Sequence, residues 1–247
     1  MKRSLLLLMA AGLLSTGAGA QKLKDLIKKD SSGKTGVQKV LGGNTKNSLS
    51  NDEIVSGLKE ALSVGTNNAT KQLSAADGFF KDAAIKILMP EEAKKAEKKL
   101  RTLGMGKLVD DAILAMNRAA EDASQSAAPI FIDAVKQMSI GDAVGILKGG
   151  DFAATNYLKD KTTASLTESF RPVIETSLKK VDATKYWNAV FTAYNKVSAD
   201  KVNPDLSAYV TEKALSGIFH QVGLEEQKIR KDPFARTTDI LKKVFAN

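Results

Sequence analysis

From Leu49 onward the apolar residues of this chain fall mainly three and four positions apart, in runs broken by residues that start and stop helices. That spacing stacks side chains on one face of a helix with 3.6 residues per turn, whereas a half-buried strand needs strict alternation. Ile54, Val55, Leu58, Ala61, Leu62, Ala69 and Leu73 mark one such face, and Ser50 and Glu53 before it have capping-box spacing. The pattern predicts an all-α fold: a single compact multi-helix domain of about eight or nine helices over residues 49–247. The one stretch that breaks the period lies near residues 84–89, where Ile85, Ile87 and Leu88 run up to Pro90 and predict a short extended segment. Composition agrees, because a chain with 6% aromatic and 43% hydrophobic residues suits closely packed helices around one core.

The punctuation places the remaining helices. Pro90-Glu91-Glu92 opens one with proline and acids at its positive end, and Gly104 closes it. Lys107 to Ser124 is the next, with Leu108, Val109, Ala112, Ile113, Met116, Ala120 and Ala123 inward. Pro129 starts another, and Ser139 with Asp142 caps a short one that ends at Gly149-Gly150. Asp151 is placed to cap the helix through Tyr157, Leu158 and Leu166 to Phe170, with Pro172 kinking or restarting it. Asp182 is placed to cap a helix with Tyr186, Trp187, Val190, Phe191 and Tyr194 on its apolar side. Pro204-Asp205 begins a long helix to about Arg230, and Asp232-Pro233 begins the last.

The N-terminus reads as an address. Met1-Lys2-Arg3 is positive, Ser4 to Leu14 is apolar, and Ala18-Gly19-Ala20 carries small residues where a signal peptidase reads them. Residues 1–20 are therefore expected to be a signal peptide cleaved after Ala20, and the mature chain to be exported to the periplasm. Gln21 stands where a lipoprotein would need cysteine. Residues 21–48 are rich in lysine, glycine and serine and read as a flexible tether. The chain has no cysteine, which excludes thiolate chemistry, disulfides and cysteine-zinc sites. Its net charge of +9, two units of which belong to Lys2 and Arg3, favours anionic surfaces or plain solubility.

A set of motifs resembles a known family. Met116-Asn117-Arg118-Ala119-Ala120-Glu121 stands among Asp77-Gly78-Phe79, Met138-Ser139-Ile140-Gly141-Asp142-Ala143 and Gly149-Gly150 with Ala153-Ala154-Thr155. Phe170-Arg171-Pro172, Tyr209-Val210-Thr211 and the run from Glu225 to Phe245 follow. In this order they resemble the exported bacterial proteins grouped as domain of unknown function four-one-nine-seven, over about residues 49–246. The resemblance implies export and brings no catalytic residues with it.

Few polar positions ask for more than solvent. Asn117 and Glu121 lie one turn apart at the border of an apolar face, with Arg118 beside Glu121; they line a polar pocket or lock helices together. Glu225 falls inside the stripe Val210, Ala214, Ile218, Val222 and Ile229, and a carboxylate there needs a cation or several donors. Arg118, Arg171 and Arg236 are its candidate partners, while Glu226 and Arg230 read as a surface pair. These six residues, Asn117, Arg118, Glu121, Arg171, Glu225 and Arg236, are the candidate binding positions. Lys94, Lys95, Lys98, Lys99 and Arg101 spread over one broad helix side, able to meet an anionic surface, but no aromatics are interleaved for stacking on nucleic acid. His220, the only histidine, sits opposite the apolar stripe. No nucleophile elbow, metal-ligand spacing or phosphate loop is present, so no catalytic residue, metal or cofactor is expected.

The expected function is that of an exported envelope protein that binds a protein, a lipid or another apolar ligand, with no nucleic acid. One alternative is a hydrolase or lyase using Glu121 and Glu225 with an arginine, which would need two carboxylates and an arginine converging in an open pocket. The other is a peripheral binder of an anionic membrane or lipopolysaccharide surface.

Overall fold

The computed structural model describes residues 50–180, 182–197 and 205–232, together with positions 201, 236 and 242. The leader, the tether and the last expected helix beyond Asp232 lie outside the described residues, apart from Arg236 and Lys242. Within them the chain is all-α, without a strand. In order come α1 (Asn51–Leu73), a 3-10 turn (Glu91–Ala93), α2 (Lys94–Thr102), α3 (Gly106–Ser124), α4 (Ala127–Lys136) and α5 (Ile140–Lys148). Then follow α6 (Ala153–Lys180), α7 (Ala183–Val197) and α8 (Leu206–Lys231).

Local chemistry starts these helices where it predicts. Ser50 Oγ accepts from Glu53 N–H while Glu53 Oε2 accepts from Ser50 N–H, and Ser139 and Asp142 repeat the arrangement at α5. Asp205 caps α8 by accepting from Ala208 N–H at 2.9 Å. Pro172 does not restart α6, which runs unbroken through it. It lies on the solvent side of that helix, as does Glu168 four residues before it, where a carbonyl that loses its N–H partner faces water rather than the core.

Two helices organise the core. On α6 the buried residues Ala154, Leu158, Thr162, Leu166, Phe170, Ile174 and Leu178 stand four apart. Four residues advance about 400°, so such a stripe drifts roughly 40° per step around the helix. The drift lets one helix face several neighbours in turn: α8, α3 and α4 along its length, α5 at its start and α7 at its end. The other organiser, α8, is buried on more than one side, with Leu206, Val210, Ala214, Ile218 and Val222 in the core and Glu225 and Glu226 also covered. It packs on α6, α1 and α3. At Gly217 it also meets the segment after α1 closely: a Cβ there would sit 2.5 Å from Cε1 of fully buried Phe79.

Between α1 and α2 the chain makes a turn at Asp77, where φ is 70°, buries Phe79, turns again at residues 83–85 and then runs without helix or turn through residues 86–90, with Pro90 extended. The segment expected to be extended near residues 84–89 is non-helical, begins in a turn at residues 84 and 85, and forms no strand.

Candidate functional site

The non-helical segment is held by side chains of α3. Asn117 is fully buried; its Oδ1 accepts from Ile87 N–H at 2.9 Å and its Nδ2 donates to Ile87 O at 2.8 Å. The amide thereby copies the pairing a neighbouring strand would offer. One turn on, Glu121 Oε1 accepts from the N–H groups of Phe79 and Phe80 at 3.1 and 3.2 Å. Its Oε2 takes Arg118 Nη1 at 2.6 Å, and Arg118 Nη2 reaches Asp77 Oδ1 at 2.6 Å. Hydrogen bonds from Lys81 and then Arg118 hold the Asp77 carboxyl below the ordinary carboxylate range. Bonds to Glu121 and then Asp77 raise the Arg118 guanidinium further. Asp77, Arg118 and Glu121 thus bring two carboxylates and an arginine together. Both oxygens of Glu121 are engaged in holding the loop and the arginine, however, and the residue is 3% exposed, so its carboxylate is covered from a substrate.

A second buried carboxylate was misplaced by the helical wheel. Glu226, expected on the surface, is 7% exposed and points at the first turn of α6. It accepts from Ala154 N–H at 3.0 Å and from Thr155 N–H and Oγ1 at 2.8 and 2.7 Å, doing the capping expected of Asp151. Arg230 pairs with it, as expected, at 2.8 Å, and also donates to Ile146 O. Asp151 meets Lys231 instead.

Glu225 is buried, but none of the three arginines reaches it. It accepts from Asn68 Nδ2 at 3.1 Å and lies 3.6 Å from Lys228 Nζ, toward the solvent. Arg171 pairs with Glu175 and Asp205, and Arg236 donates to the carbonyls of Ile229 and Arg230. Of the six candidate positions, then, Asn117, Arg118 and Glu121 form one cluster, while Glu225, Arg171 and Arg236 stand apart. On α2, Lys94 pairs with Glu91, and Arg101 with Glu97 and Asp110; Lys98 and Lys99 are exposed. His220 is exposed beside the non-helical segment, on the rim of a mixed polar recess with Glu92, Tyr209 and Glu212. Burial, then the nearby Glu92, Glu212 and Glu91, push the Tyr209 phenol up to about 12.

The Asn117–Glu121 cluster backs onto an open groove of about 600 Å³ with mostly apolar walls. Leu100 of α2, Leu108 and Ala112 of α3 and Trp187 and Phe191 of α7 form its sides, with Met89 and Leu206 among its lining. The Trp187 and Phe191 rings lie 4.4 Å apart at 49°, making one aromatic wall. Glu97, Asp111, Arg118, Asp122, Ser177 and Lys180 supply its polar margin. Sequence reasoning missed this groove, although a signal was present. The apolar face of α3 is broader than its neighbours can cover, so Leu108 stays 46% exposed and Ala112 is half-buried, although both were expected inward. Tyr186, Val190 and Tyr194, placed on the same face of α7, have side chains outside the described set.

Among the described residues, no helix is long and apolar enough to cross a membrane, and no group of three or more carboxylates and imidazoles could hold a metal ion. A family model described as a protein of unknown function (DUF4197) matches residues 48–246. No curated protein matches the chain, and no solved structure does.

Proposed function

The chain belongs to the DUF4197 family of proteins of unknown function, and from that premise we propose that it is an exported binding protein that holds an apolar or amphipathic small molecule between α2, α3 and α7. The observation that carries the reading is the groove. Its volume of about 600 Å³ falls in the range of small-molecule sites, and its walls are apolar with a few polar groups at the margin. An apolar recess of that size in water favours an occupant that removes its surface from solvent. The polar cluster behind it has the role of support: Asn117 and Glu121 hold the loop that carries Met89 to the groove. The leader pattern of Lys2 and Arg3, the apolar run to Leu14 and Ala18-Gly19-Ala20 supports delivery to the periplasm.

Trp187 is the only tryptophan and stands on the groove wall, with the polar recess of Glu92 and Tyr209 on its other side, so its emission reports binding at either and the groove is singled out by a variant that fills it. Titration with oleate or lysophosphatidylcholine, below the concentration at which each forms micelles, is expected to shift that emission saturably. Ala112→Phe, which fills the groove from α3, is expected to abolish the shift without loss of helicity. An emission spectrum indifferent to both amphiphiles would reject the groove as a binding site. Export is checked separately: material from an osmotic-shock fraction should begin at Gln21, and recovery of intact Met1 from the cytosol would reject it.

A further inference from the structure

We propose that the turn between α2 and α3 is a membrane-docking element that seats the protein on a bilayer containing anionic phospholipid. Three large apolar side chains crowd this turn and point to water: Leu103 is 66% exposed, Met105 45% and Leu108 46%. A soluble protein tolerates scattered exposed apolar residues, but three within six positions form a patch that calls for a partner. The turn stands clear of the body. Gly104 adopts φ 80°, and a Cβ built there would meet nothing within 4 Å. The helix leading into it, α2, buries no residue fully and lies on the surface.

Charge selects the partner. From Glu91 to Asp111 six basic residues, Lys94, Lys95, Lys98, Lys99, Arg101 and Lys107, stand among five acids, Glu91, Glu92, Glu97, Asp110 and Asp111, so the charge left for a partner lies on the middle of α2. Lys94, Arg101 and Lys107 have carboxylate partners, whereas Lys98 and Lys99 are exposed with none among the described residues. An aliphatic tip flanked by lysines is the arrangement by which peripheral proteins enter a headgroup layer: the apolar side chains insert and the ammonium groups meet lipid phosphates. A protein partner would more often be met by Trp or Tyr, and the tip has neither. Leu100 and Leu108 also line the apolar groove, so the groove adjoins the docking turn. This last point rests on the ligand reading above; the docking argument rests on the turn alone.

The test is flotation of the mature full-length protein with phosphatidylcholine vesicles, with and without phosphatidylglycerol, at low and high salt. Binding is expected to need phosphatidylglycerol and to fall as salt screens the lysines. Leu103→Asp, at an exposed position that leaves the fold intact by circular dichroism, is expected to weaken it by about tenfold or more. Lys98→Glu combined with Lys99→Glu should remove the preference for phosphatidylglycerol. Three outcomes overturn the proposal: no flotation of the wild type, flotation unaffected by Leu103→Asp, or a concentration-dependent dimer that Leu103→Asp dissolves. The Trp187 response to dissolved oleate is measured on the same variants. If it persists in Leu103→Asp while flotation is lost, both readings are supported as separate properties. Its absence in wild type that still floats removes the groove reading alone.

Discussion

Glu121 on α3 and Glu226 on α8 do the same job in different surroundings. Each is a buried carboxylate that accepts from two consecutive backbone N–H groups, Phe79 and Phe80 in one case and Ala154 and Thr155 in the other. Each is paired with an arginine of its own helix, Arg118 three residues before or Arg230 four residues after. The settings differ in two ways. Glu226 meets the first turn of a helix, where free amides and the helix dipole favour an anion, while Glu121 meets a turn that has no helix behind it. Arg230 has a side chain only 15% exposed and leans on Ile146 O, whereas Arg118 is 41% exposed and keeps a second carboxylate in Asp77. The difference teaches where the fold is least replaceable. Loss of Glu226 strands a covered guanidinium and a helix end, but loss of Glu121 leaves its arginine with Asp77 and solvent.

The largest expected effect tests that ranking. Glu226→Leu leaves Arg230 without a counter-charge and two amides unpaired in the interior, so urea unfolding should show a loss of about 3–5 kcal/mol, or no stable fold. Glu121→Leu should cost less, about 1–3 kcal/mol, because only the Phe79 and Phe80 amides are stranded. If Glu121→Leu proves the more damaging, the comparison is wrong and the loop at residues 77–90 matters more to the core than the start of α6.

Acid sharpens the Glu121 side of the comparison through Asp77. Its folded carboxyl lies below the ordinary value of 3.8, so the stability it contributes is complete above that value and lost as pH falls through the folded pKa. The stability gap between wild type and Asp77→Asn is therefore expected to be constant near neutrality and to close only in strong acid, as read by urea unfolding across pH. A gap unchanged down to the acid transition would mean that the Arg118–Asp77 bond adds nothing. The smallest effect is expected from Glu225→Leu. With Asn68 and a lysine at 3.6 Å as its partners, the change should cost less than about 1 kcal/mol in thermal or urea melts. A loss comparable to that of Glu226→Leu would place a buried cation at Glu225 after all.

Half of this polar scheme was legible in the chain. Asn117, Arg118 and Glu121 fall at the edge of a clear apolar face, so a wheel on α3 finds them. The wheel on α8 fails for Glu226 because it assumes one buried side. Helix α8 is covered on several, and which neighbour faces Glu226 depends on where α6 begins in space. Glu225 was correctly read as covered and wrongly supplied with arginines, since sequence distance says nothing of which side chains meet.

The sequence by itself determined that the described part of this protein is helical and where most of its helices start. Periodicity, capping boxes and proline act within a few residues, through hydrogen bonds and sterics that need no distant partner. Only the tertiary structure decided which carboxylate caps α6, that an asparagine side chain stands in for a strand beside Ile87, and that α3 and α7 leave an apolar groove open. Those outcomes depend on packing between segments far apart in the chain, and the energy of a buried charge is set by the few ångströms around it rather than by its neighbours in sequence.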